Sequence, residues 1–154
     1  MELARNLKVD SVSRLSPTPP WSVSPDQSVA EAVALMRHHC VGCLLVCRED
    51  RLLGIFTERD LMRHVLAPGR SLLLPVSACM SSNPVAVSPT APIGHAVRLM
   101  VDGGYRHLPV VDDGRPVGVL SVKRIVHYLV EHYPYTIYNL PPDPDAYPLE
   151  PEGA

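Results

Sequence analysis

The chain has 154 residues, of which 46% are hydrophobic, and a formal net charge of -2. This length and apolar content can bury one sizeable core, so one compact domain is expected rather than two independent ones. The near-neutral charge gives no reason to expect nucleic acid or a membrane as a partner. No apolar run reaches the roughly 20 residues of a membrane-spanning helix, and the N-terminus lacks an apolar signal-peptide core, so the sequence predicts a cytoplasmic protein.

The elements predicted for the first part of the chain form one β-α-β-β-α unit. Residues 1–16 alternate weakly and predict a strand or a helix against the body, and the unit covers residues 17–67. It opens with an extended stretch, which an amphipathic helix from Val29 follows. Two strands come next, over 41–47 and 52–56, and Thr57 is a suitable N-cap for a second helix.

The later part of the chain repeats this order after a short connection. Residues 68–79 contain three helix-breaking Pro or Gly residues and predict a linker that ends in a helical turn. A second β-α-β-β-α unit follows over 80–132. The tail over 133–154 is rich in aromatic residues and proline. Its first part is expected to pack on some other surface, which the sequence does not identify, and its last ten residues are expected to be loose.

A shift of 64 positions places the second unit on the first without a gap. Identical residues recur at 20/84, 23/87, 24/88, 25/89, 32/96, 33/97, 35/99, 36/100, 44/108, 46/110, 51/115 and 54/118. Such a register means one module present twice. A duplicated scaffold keeps its packing residues alike while its two pockets can diverge. Function is therefore expected where the two copies differ.

Two motifs carry a resemblance to a known family. Residues 54–60 read GIFTERD, and residues 107–111 read HLPVV. With these motifs inside a gap-free duplication, the chain resembles a tandem pair of cystathionine-β-synthase (CBS) domains, or Bateman module. The resemblance implies an α+β fold in which the two units pack by their sheets about a pseudo-twofold axis and leave two clefts. It also implies a homodimer that binds adenosine-containing ligands and regulates other proteins without being an enzyme.

The chemistry of Thr57 and Asp60 favours binding independently of the resemblance. A carboxylate near the start of a helix can accept two hydrogen bonds from a ribose diol, and the free N–H groups with the Thr57 hydroxyl suit a phosphate. In the structural alternative, Thr57 is only an N-cap, and Asp60 is only a first-turn acid favoured by the helix dipole.

The pattern is similar to the CBS pairs of the AMP-activated protein kinase type, in which both units contact one nucleotide. By that resemblance, Asp60 would hold the ribose, and Thr57 would bind ribose or phosphate. Adenine contacts would come from Ile55, Phe56 and Val85, and positive charge for the phosphates from Arg106, His107 and Lys123. The implied ligand is AMP or ADP, with ATP as a further candidate, and its occupancy would be signalled to an unidentified protein target. In the alternatives, Arg106 and Lys123 are solvated surface charges and His107 is a structural histidine.

The second copy departs from the first at the ribose position. Residues 118–124 read GVLSVKR, so Arg124 stands where the first copy has Asp60. A guanidinium cannot accept hydrogen bonds from a ribose. The second cleft is therefore expected to be empty or to bind a different ligand.

Two further functions stay open at this point. Cys40, Cys43 and Cys47 could form a thiol or metal sensor, although reduced cysteines in a predicted strand are expected to serve packing. The chain could also be a ligand-free module for dimerisation or interaction. The other histidines are expected to be surface or capping residues: His38, His39, His64, His95, His127 and His132. No nucleophile triad, carboxylate pair or metal motif stands out, so the sequence does not predict an enzyme.

Overall fold

A computed structural model describes residues 2–139 of the chain. The helices are α1 Glu2–Val9, α2 Val29–His39, α3 Glu58–Leu61, α4 Ile93–Gly103, α5 Val122–His132 and α6 Pro134–Tyr138. The strands are β1 Ser22–Val23, β2 Cys43–Arg48, β3 Arg51–Thr57, β4 Ser81–Ser82, β5 His107–Asp112 and β6 Arg115–Ser121. Short 3₁₀ helices cover Val12–Leu15 and Val76–Ala78, and α3 continues as a π-helical turn over Met62–Leu66.

Each unit is built around an antiparallel hairpin. In the first, β2 pairs with β3 from Cys43↔Thr57 to Arg48↔Arg51, and in the second, β5 pairs with β6 from His107↔Ser121 to Asp112↔Arg115. Both hairpins have a register irregularity at the same place, between residues 46 and 47 and between 110 and 111. The duplication in the sequence is therefore a duplication in structure down to the bulge.

Helix caps explain where the helices of the two units begin and end. Ser28 and Glu31 form a reciprocal capping box at the start of α2. The helix ends at Cys40, which has a left-handed backbone with φ 53°. In the second copy Gly104 occupies the corresponding position after α4, with φ 66°. Glycine adopts this conformation more readily than cysteine does.

The segments that precede the two units are exchanged between them. Val12 and Leu15 are buried in the core of the second unit, together with Ile93 and Leu108, although they precede the first. Residues Val76 and Cys79 are in turn buried in the core of the first unit. The two contacts are equivalent, since the Val12 N–H donates to the carbonyl of Ala91 and the Val76 N–H donates to that of Gln27.

The exchange continues into short strands at the hairpin edges. Strand β4 pairs with β3 of the first unit, and Thr18 forms an isolated bridge with Val119 of β6 in the second. These crossings need a glycine in each edge strand. A Cβ at Gly54 would lie 2.9 Å from the carbonyl oxygen of Ser81, and one at Gly118 would lie 3.0 Å from that of Thr18. The recurrence of glycine at this position is therefore explained by close backbone approach.

The two hairpins contact each other through a small apolar cluster of Cys43, Leu45, Ile55 and Val119, which is separate from the two larger cores. This arrangement confirms the predicted α+β fold, in which two similar units pack by their sheets.

The ends of the described chain pack on the second unit. Leu7 of α1 contacts its core, and the Asn6 side chain donates to the Tyr133 hydroxyl at 2.6 Å. The N-terminal stretch is thus helical, which is one of the two predicted alternatives. At the start of the tail Tyr133 packs on this core, whereas Tyr135 and Tyr138 are exposed. The expected loose end of the tail lies outside the described residues. Among residues 2–139, no helix combines the length and apolar character needed to cross a bilayer.

Candidate functional site

A cavity of about 340 Å³ lies between the two units. From the first unit it is lined by the end of β3 and the helix that follows, and from the second by β4 with the residues after it and by the segment before β5. Six of the eight residues predicted to bind a ligand line this cavity: Ile55, Thr57, Asp60, Val85, Arg106 and His107. Residues 52 positions apart in the sequence are thus brought to one place.

The carboxylate of Asp60 is the centre of the hydrogen bonding in this cavity. Its Oδ2 accepts hydrogen bonds from the backbone N–H and from the hydroxyl of Thr57, both at 3.0 Å. Its Oδ1 accepts one from the hydroxyl of Ser81 on β4, also at 3.0 Å. The Asp60 N–H in turn donates to Thr57 Oγ1 at 3.2 Å, which completes a capping box at the start of α3.

The position of Asp60 is unusual for an acid. Its exposed fraction is 6%, and within residues 2–139 it is the only polar or charged residue that is buried. Burial of a charge is costly unless hydrogen bonds satisfy it, which the three donors do here. A carboxylate has about four acceptor sites, so Oδ1 can accept from hydroxyls other than that of Ser81. The arrangement can therefore hold a vicinal diol that displaces or joins the serine.

Basic side chains also line this cavity. Arg59, Arg63 and Arg106 all line it, and the guanidinium of Arg59 donates to the carbonyl of Gly104 in the second unit at 3.1 Å. His107 is partly buried, and this burial lowers its pKa below 6.5, although the nearby charge of Glu58 acts in the opposite direction. The cavity thus offers positive charge as well as its one buried carboxylate.

His64 is exposed, as expected for a surface residue, and it also lines the cavity. Its Nδ1–H donates to the carbonyl of Cys79 at 3.0 Å. The same Nδ1 lies 3.7 Å from Oδ1 of Asp60. The imidazole therefore borders the carboxylate that was proposed to hold the ribose.

Two predicted residues lie elsewhere. Phe56 is fully buried in the core of the first unit, because alternation along β3 turns it away from the side that Ile55 presents to the cavity. Lys123 lines a second cavity and is absent from the lining of the first. Lys123 therefore shares a cavity with His107 but not with Arg106.

Sequence reasoning also missed several lining residues. Arg63 follows Asp60 by about one helical turn, so helical spacing could have indicated it. Ser81 and Asn83 reach the cavity only through the pairing of β4 and the residue after it with β3. Sequence spacing carries no signal for such a contact.

The second cavity, of about 650 Å³, is the counterpart of the first. Ser121 and Arg124 occupy the positions of Thr57 and Asp60, and the Arg124 N–H donates to the Ser121 hydroxyl at 3.2 Å. The cap at the helix start is therefore kept, but the carboxylate is lost. His127 and His132, expected to be surface or capping residues, also line this cavity.

The two cavities share a wall. Gly42, Glu58 and His107 line both of them. A Cβ added at Gly42 would lie 3.5 Å from the Glu58 carboxylate and 3.6 Å from Cε1 of His107. A group bound in one cavity is thus separated from the other by these few side chains.

The cysteines do not form a metal centre. Cys43 is buried and Cys47 is half-buried, and burial raises the pKa of both thiols, to about 12 for Cys43. A thiol with so high a pKa is a poor nucleophile and a poor metal ligand. In the part of the chain that the structure describes, no group of three or more His, Cys, Asp or Glu side chains could hold a metal ion. Packing is the role that the structure supports for Cys43.

Comparisons with known proteins agree with this architecture. The family model described as CBS domain matches residues 12–67 and 76–131. The chain is 35% identical over 114 residues to the CBS domain-containing protein YhcV of Bacillus subtilis, a match that covers 74% of this chain and 81% of that protein.

Solved structures show the same fold. A putative signal-transduction protein with CBS domains from Burkholderia ambifaria matches with a TM-score of 0.76 at 29% identity, over 80% of this chain and 96% of that one. A CBS domain protein from Pyrobaculum aerophilum, solved in complex with AMP, matches with a TM-score of 0.71 at 26% identity, over 79% and 99% of the two chains. The present chain belongs to the CBS domain family and carries two CBS domains in tandem.

Proposed function

We propose that this CBS pair is a cytoplasmic regulatory module that binds one adenine nucleotide in the cavity around Asp60. AMP or ADP is the first candidate and ATP the next. The observation that carries the proposal is the buried Asp60 carboxylate, which faces a cavity formed by both units and is bonded there only to hydroxyl and amide donors. The AMP complex of the Pyrobaculum relative supports the choice of ligand class.

The ribose is the part of the ligand that Asp60 would hold. Its two hydroxyls would donate to Oδ1 and Oδ2, and the Ser81 hydroxyl would be released from Oδ1 or would remain as a third donor. The cavity volume lies at the lower end of the 300–1,000 Å³ range that is usual for ligand pockets, which suits a mononucleotide better than a dinucleotide.

The base and the phosphates would occupy opposite sides of the ribose. Ile55 and Val85 provide apolar surface for adenine. Arg63, Arg106 and His107 provide positive charge for a phosphate, Arg through a bidentate fork and His107 once protonated. Lys123 is not part of this site, and Phe56 would contribute through its backbone alone.

Regulation would follow from the position of the ligand between the two units. A nucleotide that contacts both units favours the relative arrangement in which both sets of contacts are made, which is a shift of population. The module would then signal its occupancy to a protein target rather than catalyse a reaction.

A homodimer is part of this proposal. The helices after the two capping motifs expose apolar side chains at equivalent positions, with Met62 63% exposed and Val126 51% exposed. Leu66 is a further exposed apolar residue of the first unit. Such side chains favour burial against another chain, and their presence on both units suits a symmetric contact.

The test is thermal unfolding with a panel of AMP, ADP, ATP, S-adenosylmethionine and NADH. A ligand present at 100 times its Kd stabilises the folded state by about 2.7 kcal/mol. We expect AMP or ADP to raise Tm of the wild type and to have little effect on Asp60→Asn, which keeps the size of the side chain and an acceptor for the helix cap. Asp112→Asn, an exposed acid outside both cavities, is the matched control.

The same exposed apolar helices favour a second candidate function, which is a dimerisation or interaction module without a ligand. It predicts a dimer in solution and no change in Tm with any nucleotide. An equal response of wild type and Asp60→Asn would likewise rule out the ribose role of Asp60.

A further inference from the structure

The second cavity has exchanged an acid for a base. Arg124 lines it at the position of Asp60, and Arg14, whose counterpart 64 residues later is Ala78, lines it as well. Lys123 adds a third permanent positive charge. The carboxylate chemistry of the first cavity is thus replaced by cationic chemistry in a space about twice as large.

Two of these cations lack a partner in the structure. The guanidinium of Arg14 is paired with Asp10 at 2.7 Å. Within residues 2–139, by contrast, the side chains of Lys123 and Arg124 make neither a hydrogen bond nor an ion pair within 4.0 Å. Glu58 and Glu131 also line the cavity, but neither carboxylate lies within 4.0 Å of a Lys or Arg nitrogen. The cavity therefore has cations in place that its own carboxylates do not neutralise.

We propose that the second cavity binds a polyphosphate chain, held by Lys123 and Arg124, with Arg14 at its margin. Arginine binds phosphate oxygens through a planar fork, and lysine acts on them as a point charge. The hydroxyl of Ser121 lines the same space and can donate to a further phosphate oxygen, whereas the Thr18 hydroxyl donates to the carbonyl of Val119. Several positive side chains from different segments of the chain suit an extended anion with several charges better than a single phosphate.

This site is independent of the proposed function of the first cavity. It needs no ribose, because no carboxylate stands at the position of Arg124 to hold one. The inference therefore stands whether or not AMP binds at Asp60.

The single tryptophan of the sequence is an internal reporter for this cavity. Trp21 lines the second cavity and not the first, and it is 38% exposed. Its ring stacks on that of His39, with ring centroids 3.6 Å apart. A charged ligand that enters the cavity changes the surroundings of an indole that is still in part open to solvent.

The experiment titrates inorganic tripolyphosphate into the full chain at constant ionic strength, with Trp21 emission and Tm as the two readouts. We expect a saturable change in the wild type and an apparent Kd at least about tenfold weaker in Arg124→Gln, equivalent to about 1.4 kcal/mol. Lys123→Gln is expected to weaken binding in the same direction. Arg115→Gln, at an exposed arginine outside both cavities, should match the wild type.

The controls decide where the anion binds and what carries it. A loss of the response in Arg106→Gln with no loss in Arg124→Gln would place the anion in the first cavity and overturn the proposal. No saturable change in either readout at millimolar tripolyphosphate would also overturn it. ATP titrated in parallel shows whether the phosphate chain is free or belongs to a nucleotide. If ATP binds more tightly than tripolyphosphate, and Arg124→Gln weakens that binding, a nucleotide carries the chain.

Discussion

The exchange of strands between the two units predicts that Gly54→Ala destabilises the protein. A Cβ at this position would lie 2.5 Å from Sδ of Met80 and 2.9 Å from the carbonyl oxygen of Ser81. Heavy atoms that are not bonded normally approach to about 3.5–4.0 Å. The methionine side chain can move aside, but the Ser81 carbonyl belongs to the backbone of paired strand β4 and can move only with it.

The magnitude follows from two opposing effects. Overpacking of this kind costs about 1–3 kcal/mol, and the loss of glycine freedom in the unfolded chain returns about 0.4–1 kcal/mol. The net loss is about 1–2 kcal/mol, which corresponds to a fall in Tm of roughly 2–8 °C for a chain of this size.

Thermal and urea unfolding of three variants test this reasoning. Gly118→Ala makes the equivalent change in the second unit, where the nearest atoms would be 3.0 Å away, and should cost less than Gly54→Ala. Gly42→Ala, whose nearest contacts would be ordinary at 3.5 Å, should stay within about 0.5 kcal/mol of the wild type. A Gly54→Ala protein as stable as Gly42→Ala would refute the close approach on which the exchange depends.

Three further changes have defined outcomes. Ser81→Ala removes a donor from the buried Asp60 and should lower the stability of the free protein by about 1–2 kcal/mol. It should also increase the Tm shift caused by AMP, because a hydroxyl that competes with the ribose is gone. An unchanged Tm shift would argue against competition at Oδ1. Burial lowers the pKa of His107 below 6.5, so the stability of the wild type should fall as the pH drops from 6.5 toward that lowered pKa. Urea unfolding of His107→Gln should lack this part of the pH dependence. Identical pH profiles of the two proteins would exclude this role of His107. Tyr128→Phe removes the hydrogen bond that is the main cause of the lowered pKa of Asp10. An NMR titration of the variant should show that pKa rising toward its usual value. An unchanged pKa would mean that the hydrogen bond does not form in solution.

The fold could be predicted to a large extent because its signals are local or repeated. The amphipathic spacing of α2 and the capping residue Thr57 act within a few residues of themselves, and the 64-residue register transfers each inference to the second unit. The exchange of the leading segments could not be predicted in this way. The identical pairs Val12/Val76 and Ser13/Ser77 extend the repeat upstream, but nothing in them states that each segment packs on the opposite unit.

The residues of the candidate site could also be predicted where the signal is a local motif, but not where it depends on how the two units pack. Asp60 and Thr57 follow from the motif, and Arg106 and His107 follow from their place before the Leu-Pro-Val sequence of residues 108–110. Lys123 lines the second cavity instead. Sequence position does not say on which side of the shared wall a residue lies, because both cavities are lined from both units. That question depends on the packing of the two hairpins, which is a property of the whole fold.

The central proposal is tested most directly by isothermal titration calorimetry of AMP binding. The wild type, Asp60→Asn and Asp112→Asn are compared under one condition. We predict one AMP per wild-type chain, at least about a tenfold loss of affinity in Asp60→Asn, equivalent to about 1.4 kcal/mol, and no loss in Asp112→Asn. Two AMP molecules per chain, or equal affinity in the wild type and Asp60→Asn, would contradict a single nucleotide site organised by the buried carboxylate.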